Sequence, residues 1–182
     1  MKLQASLSAS VLLLFTPVSA CAQAAEWVQS EYGFNVSFPT HATVCDAVSG
    51  DHKVGWFLPL EGDCNGATRR VIVLASYNAA FQTSPDAITD CKGARAKRGG
   101  VDLAFLGHRS ATCLEHRPDG AILATVATQA WPQPAPSGDT GEDRAPWINY
   151  YAYLESTPSR LDEDMRTFRR VVETVKITSP AP

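Results

Sequence analysis

The first strand of the chain is predicted by an alternation of apolar and polar residues. Over residues 32–39, Phe34, Val36 and Phe38 occupy every second position, and Pro39 ends the run. A period of two places these three aromatic and branched side chains on one face of an extended segment. The pattern therefore predicts a half-buried strand with one face toward a core.

Other apolar runs predict further strands. Residues 71–74 are four consecutive branched apolar residues within a strand predicted over residues 70–77. An unbroken run of this kind indicates a strand covered on both faces. Pro118-Asp119-Gly120 is typical of a tight turn and predicts a hairpin between the segments on either side of it. The remaining predicted strands are residues 54–58, 102–106, 109–116, 121–131, 147–155 and 175–177.

Two segments predict helices. Ser84 and Pro85 suit the cap and first turn of a short helix that ends near Gly99-Gly100. Thr157-Pro158 begins a longer helix that runs to about Thr174. The apolar stripe of this closing helix consists of Leu161, Met165, Phe168 and Val172. Such spacing is typical of an amphipathic helix.

The charges of the closing helix are segregated along its length. The acidic residues of its first turns are Asp162, Glu163 and Asp164, and the basic residues of its later turns are Arg166, Arg169 and Arg170. Negative charge near the start and positive charge near the end both complement the helix dipole. We therefore interpret the carboxylates as helix-start charges rather than as a catalytic pair.

The elements together predict a single α+β domain over residues 31–179, in which an antiparallel β-sheet is flanked by helices and closed by the C-terminal amphipathic helix. A chain of 182 residues is long enough for one domain with a substantial core. Residues 132–146 interrupt the pattern with a Pro-rich loop of about 15 residues, which is long for a compact domain.

Residues 1–20 are predicted to be a secretory signal peptide. Lys2 provides a positive start, residues 11–15 are apolar, and Val18-Ser19-Ala20 forms an exit of small residues. The apolar run is too short to span a bilayer as a helix. These features predict export from the cytoplasm.

The residue after this leader is Cys21, and Val18-Ser19-Ala20-Cys21 resembles the lipobox of bacterial lipoproteins. The resemblance implies cleavage before Cys21 and attachment of lipid to its sulfur. Residues 21–30 would then be a short tether that holds the domain at an envelope membrane. The alternative is a secreted or soluble periplasmic protein, cleaved after Ala20, Ala22 or Ala24.

The chain has five cysteines, an odd number for an exported protein. If Cys21 carries lipid, four remain, and an oxidising compartment favours two disulfides among them. Three pairings are possible. We favour Cys45–Cys64 and Cys91–Cys113, because each pair closes a compact loop of about 20 residues, worth roughly 3 kcal/mol.

The two ends of the domain resemble the PsbP/Mog1-like family. The first strand contains an aromatic-Gly-Phe-x-x-x-x-Pro motif, here Tyr32-Gly33-Phe34 followed by Pro39, and the closing helix contains Phe168-Arg169-Arg170-Val171-Val172 before a last short strand at residues 175–177. The resemblance covers about a quarter of the chain and implies an antiparallel sheet between helices. It implies no particular activity, since fold does not determine function.

Net charge argues against a nucleic-acid-binding protein. Sixteen Lys and Arg against 19 Asp and Glu give a charge of −3, without the basic excess that usually marks such proteins. One basic stretch stands out, made of Lys92, Arg95, Lys97, Arg98 and Arg109. It is interpreted as a solvated helix face, or as a contact patch for lipid head groups or an acidic protein surface.

No motif predicts an enzyme, and no cofactor is expected. The chain lacks a Gly-x-Ser-x-Gly elbow, a Ser-x-x-Lys signature and a phosphate-binding loop. His108, Cys113 and His116 have spacing that could suggest zinc, but oxidation of Cys113 and the alternation along a strand argue against a metal site. We expect no metal.

The Pro-rich loop is the candidate partner-binding segment. Its residues proposed to contact a partner are Trp131, Asp139, Glu142, Asp143, Arg144 and Trp147. Long loops on a disulfide-braced scaffold often carry recognition, and tryptophans supply anchor area. An insertion without a role is the alternative interpretation.

The hypothesis that these observations favour is a non-enzymatic lipoprotein, anchored in the periplasm to an envelope membrane, that binds a protein partner. Its sharpest form is an immunity-type inhibitor of a toxin or a cell-wall hydrolase. A structural or accessory lipoprotein of an envelope complex is the second hypothesis, and a hydrolase with an unrecognised site is the third.

Overall fold

The computed structural model describes residues 24–29, 31–47, 53–77, 96–106, 108–130 and 148–178, with 96–102, 108, 109, 111 and 130 described through their backbone. Within these ranges the elements are β1 (Ala24–Gln29), β2 (Phe34–Pro39), β3 (Cys45–Asp46), β4 (Val54–Pro59), β5 (Arg70–Tyr77), β6 (Ala96–Phe105), β7 (His108–His116), β8 (Ile122–Ala130), β9 (Ile148–Ser156), α1 (Leu161–Val172) and β10 (Lys176–Ile177).

The strands form two antiparallel sheets. Seven strands pair in the order β3-β4-β5-β9-β8-β7-β6, and three pair in the order β1-β2-β10. Helix α1 packs against β9, β5 and β6 of the large sheet and against β2 of the small one. This arrangement confirms a single α+β domain with a closing helix.

The core lies where α1 and the small sheet meet one face of the large sheet. Phe34, Val36 and Phe38 of β2 are fully buried there, which confirms the predicted apolar face of the first strand. Alternate residues of β9, such as Tyr150 and Leu154, point into the same core. Burial of such side chains contributes about 1.5–3 kcal/mol each to folding.

The interior strand β5 is covered on both faces, as its unbroken apolar run predicts. Val71 and Val73 lie in the main core, whereas Leu74 packs with Tyr151 on the opposite face of the sheet. Arg70 and Glu155 face each other across β5 and β9 on that second face, joined through Arg70 Nε and Glu155 Oε2 at 2.6 Å.

The predicted hairpin is also confirmed. β7 and β8 pair through His116 and Ile122, and Gly120 has the positive φ of 85° that such a turn requires. Asp119 Oδ1 accepts a hydrogen bond from the Ala121 backbone N–H at 3.0 Å, the local bond that makes Asp favourable in turns.

The structure corrects the predicted tether. Residues 24–29 are not a tether but strand β1, which pairs along its whole length with β2. Trp27 contacts Trp56 edge to face, with ring centroids 5.8 Å apart. An alternation of apolar and polar residues over six positions is only a weak indication of a strand. The contact of β1 with β4 cannot be inferred from the sequence.

The structure also corrects the end of the first predicted helix. Residues 96–100 belong to strand β6 rather than to a helix, and residues 84–95 lie outside the described residues. The pairing of β6 with β7 shifts register between Arg98 and Asp102, around Gly99-Gly100. Glycine is typical of such irregularities in strands. Gly99-Gly100, which the sequence suggests as the end of a helix, therefore lies at an irregularity within a strand.

Helix α1 begins later than predicted. Residues 157–160 form a turn, and the helix covers Leu161–Val172 with Arg160 as its N-cap residue. Its buried residues are Asp164, Phe168, Val171 and Val172. Leu161 and Met165, predicted to belong to the apolar stripe, are half-buried on the flank of the helix.

Candidate partner-binding groove

A groove of about 800 Å³ runs along the flank of α1, beside β7. Its apolar surface is formed by Leu161, Met165 and Leu114, each half-buried and packed against the edge of the core. Leu114 lies opposite Ala124, a core residue, in the β7–β8 register, so it stands on the face of the sheet that α1 covers. Apolar surface of this kind in a concave site is typical of ligand and peptide grooves.

Charged residues line the rest of the groove. The acidic ones are Asp162 and Glu163 in the first turn of α1, and the basic ones are Arg166, Arg169 and Arg170 in its second half. Glu163 is paired with Arg160 at 2.7 Å. The groove therefore changes from acidic to basic along the helix, as the sequence indicates for the helix itself.

The first half of α1 is fixed by a buried ion pair. Arg69, directly before β5, donates from Nε and Nη2 to the two carboxylate oxygens of Asp164, at 2.9 and 2.6 Å. Ser156 Oγ, at the end of β9, donates to Asp164 Oδ2 at 2.6 Å. Glu61 accepts from Arg69 Nη1 at 2.8 Å. One carboxylate of the helix is thus bound to the end of β9 and to the residue that precedes β5.

These contacts also change the acid strength of the groups involved. Burial disfavours the charged form of Asp164, but hydrogen bonds from Arg69 and Ser156 outweigh it and hold the pKa of this carboxyl below its usual value. Hydrogen bonds from Arg69 and Thr68 likewise lower the pKa of the exposed Glu61. Both groups therefore remain charged at neutral pH, and the ion pair is intact there.

The second end of α1 is fixed to the small sheet. Thr174 Oγ1 accepts a hydrogen bond from the Ser37 backbone N–H at 2.9 Å and lies 2.7 Å from the Val171 carbonyl oxygen. The helix is held at both ends, so the wall of the groove is preformed. A preformed wall lowers the entropic cost of binding a partner.

One predicted disulfide is present. Cys45 and Cys64 are bonded, with Cα atoms 5.7 Å apart, which confirms this part of the favoured pairing. Cys113 is also disulfide-bonded, while Cys91 lies outside the described residues, so the Cys91–Cys113 pairing stays a prediction. A structural disulfide is typical of proteins that fold outside the cytoplasm.

The residue predicted to carry lipid and the loop residues predicted to bind a partner lie outside the described residues. They are Cys21 and the loop residues Trp131, Asp139, Glu142, Asp143, Arg144 and Trp147. Of the basic stretch, Lys97 and Arg98 lie in β6 and Arg109 in β7. The interpretation of Lys97 and Arg98 as part of a helix face is therefore wrong, because the chain is already extended there.

Of the three residues with zinc-like spacing, His108 is described only through its backbone. No group of three or more His, Cys, Asp or Glu is placed to hold a metal ion among the residues that the structure describes. Within the same residues, no helix combines the length and the apolar character needed to cross a bilayer.

Sequence reasoning missed the residues that anchor and line the groove. Asp164 precedes Phe168 by four residues and Val171 by seven, which is the spacing of the buried face itself. A carboxylate at such a position needs a buried partner. The spacing could therefore have identified Asp164 as a buried, paired residue. No comparable signal in the sequence points to Arg69.

The likeness of this chain to known proteins lies in solved structures. No protein-family model matches the chain, and no curated protein matches it either. Among solved structures, the chain is similar to the solution structure of cyanobacterial PsbP (CyanoP) from Synechocystis sp. PCC 6803, with 12% sequence identity and a TM-score of 0.41 over 91% of this chain and 98% of that one. A PsbP protein is thus among the structures to which this chain is similar.

Proposed function

We propose that this protein is a non-enzymatic envelope lipoprotein that binds a protein partner through the groove beside α1. The observation that carries the proposal is the groove itself. Half-buried Leu161, Met165 and Leu114 lie next to exposed arginines that have no carboxylate partner among the described residues, on a helix held at both ends. Apolar anchors surrounded by a polar rim are the usual composition of a protein interface.

The predicted compartment supports a partner in the envelope. The Cys45–Cys64 disulfide is typical of an oxidising environment, and the leader with its lipobox-like end predicts lipid on Cys21. β1 begins only three residues after Cys21, a length of chain that spans at most about 10 Å. A lipid on Cys21 would hold the domain at the membrane surface.

Replacement of Cys21 by Ser tests the anchor. The variant should move from the membrane fraction to the soluble periplasmic fraction, and the wild-type protein should carry the mass of a lipid. Fractionation unchanged in the variant, with no lipid mass on the wild type, would remove the anchor and leave secretion as the alternative.

Two forms of the proposal differ in the partner. An immunity-type inhibitor would bind a toxin or a cell-wall hydrolase, whereas an accessory lipoprotein would bind a subunit of an envelope complex. The loop at residues 132–146 is proposed as a second contact surface in either form, because long loops often carry recognition. Inhibition of the captured partner's activity separates the two forms. A hydrolytic activity of the protein itself is the least supported alternative.

Comparison of captured proteins between matched variants tests the groove. The full chain with Cys21→Ser is used as bait in envelope extract, alone and combined with Met165→Gln or Val28→Gln. Val28 is 59% exposed on β1 and does not line the groove, so its substitution also replaces a surface apolar side chain by Gln, at another place. We expect a partner that Met165→Gln loses and Val28→Gln keeps. A set of captured proteins that is the same for all three baits would contradict the proposal.

A further inference from the structure

The arginines of the groove differ from the other arginines whose side chains the structure describes. Each of the others is in an ion pair: Arg69 with Asp164, Arg70 and Arg117 with Glu155, and Arg160 with Glu163. The exceptions are Arg166, Arg169 and Arg170. All three are exposed, and none has a carboxylate partner within the described residues.

The three unpaired guanidinium groups are concentrated in one place. They lie within five consecutive residues of α1 and all line the same groove. The one polar contact of this group among the described residues is weak, from Arg170 Nη2 to Thr167 Oγ1 at 3.3 Å. A cluster of exposed cations attracts anionic groups and steers them during association.

The apolar part of the groove lies beside these cations. Met165 is followed by Arg166 and lies one turn before Arg169, and Leu161 lies one turn before Met165. Methionine adapts its shape to different apolar side chains and is common on binding surfaces. A ligand that fills the groove therefore needs apolar groups for Leu161, Met165 and Leu114 and negative charge at the arginine end.

We infer that the groove takes an acidic amphipathic peptide segment of the partner, with apolar side chains on the Leu161–Met165–Leu114 surface and carboxylates at Arg166, Arg169 and Arg170. This inference rests on the proposed function and adds the chemistry of the partner. A bilayer is disfavoured as the occupant, because its surface is flat and would leave a concave volume of about 800 Å³ unfilled.

Selection from a random peptide library tests the chemistry without knowledge of the partner. Twelve-residue peptides are selected on the full chain with Cys21→Ser, with intact disulfides. We expect the enriched peptides to be net acidic and to contain spaced Leu, Ile, Phe or Met. Enrichment of basic peptides, enrichment without charge bias, or no enrichment would overturn the inference.

Substitution of the arginines provides the second arm. In Arg166→Gln/Arg169→Gln/Arg170→Gln, affinity for the enriched peptides should fall about 10- to 100-fold, because three charge pairs are lost. Lys176→Gln, an exposed change on β10, should change affinity less than about twofold. A thermal melt shows whether each variant is folded. Equal affinity of the folded triple variant and the wild type would overturn the inference.

Two further outcomes separate this inference from the proposed function. If the Cys21→Ser chain floats with phosphatidylglycerol vesicles and the triple arginine variant does not, the groove binds a membrane surface. That result would overturn the inference that it binds a peptide. A partner lost by Met165→Gln but bound equally by the triple variant would overturn the acidic segment and leave the proposed function standing. Acidic peptides that bind the groove, without any Met165-dependent partner in the envelope, would instead contradict the proposed function.

Discussion

Arg69 and Asp164 form a two-bond ion pair in which both residues are more than nine-tenths buried, and the pair joins α1 to the start of β5. A buried charge is costly unless its partner stays in place. The position of the helix, and with it the wall of the groove, therefore depends on a contact between residues 95 positions apart in the chain.

Removal of the charge on Asp164 should destabilise the fold strongly. Asp164→Asn leaves the Arg69 guanidinium buried without its main counter-ion, and we expect a loss of about 3 kcal/mol. Asp162→Asn makes the same change at an exposed position of the same helix and should cost less than about 1 kcal/mol. Urea unfolding measures both. Equal losses would show that the buried pair does not stabilise α1.

The contribution of Asp164 should depend on pH in a defined direction. Its folded pKa is below the usual value of 3.8, so the unfolded chain takes up the proton first as the pH falls. The stabilisation is therefore fully present above about pH 5 and decreases below pH 4. The difference in unfolding free energy between wild type and Asp164→Asn, measured from pH 6 to pH 2, should shrink toward the acid end. A difference that does not change over this range would contradict the lowered pKa.

The close approach of β4 and β5 requires a glycine. A Cβ atom added at Gly55 would meet the Val73 carbonyl oxygen and the Leu74 backbone of the neighbouring strand. Gly55→Ala should therefore destabilise the protein by about 3 kcal/mol through overpacking. Gly66→Ala adds the same methyl group where nothing lies within 4 Å and should be close to neutral. If the two variants melt at the same temperature, β4 and β5 do not approach each other closely enough at Gly55 to exclude a Cβ atom.

The buried hydroxyl of Tyr150 joins β9 to the segment before β2. It donates to the Tyr32 carbonyl oxygen at 2.7 Å, and burial raises the pKa of Tyr150 to about 12. Tyr150→Phe removes this buried hydrogen bond and should cost about 1–2 kcal/mol. Tyr77→Phe, at a residue 48% exposed, should cost less than about 0.5 kcal/mol. Chemical denaturation distinguishes these outcomes, and equal stability of the two variants would contradict the role of the bond.

The sequence is sufficient to predict those elements whose hydrophobic pattern matches the burial that tertiary contacts impose on them. Strand β2 alternates, β5 is apolar throughout, and the turn at Pro118-Asp119-Gly120 determines a hairpin, so local pattern and tertiary contacts agree. Strand β1 is not predicted, because its contacts are with β2 and with Trp56 of β4, which are separate from it in the chain. Local propensity carries no information on such a contact.

The groove was less predictable than the fold. The apolar stripe Leu161, Met165, Phe168 and Val172 predicts a face centred among these residues, but the buried face includes Asp164 instead of Met165. Asp164 faces the sheet and pairs with Arg69, whereas Leu161 and Met165 lie half-buried at the flank of the helix. Sequence patterns assign a carboxylate such as Asp164 to the exposed face of a helix. They therefore do not predict that Asp164 is buried or that the apolar residues beside it lie at the flank.

Site-specific photo-crosslinking in living cells tests the central claim most directly. A photoreactive amino acid is placed at Met165, or at Val28 as the control, in the otherwise wild-type chain. The account predicts one main crosslinked envelope protein from position 165, attached through a segment rich in Asp and Glu, and no such product from position 28. Absence of any product specific to position 165 would contradict the claim that this groove binds a protein partner.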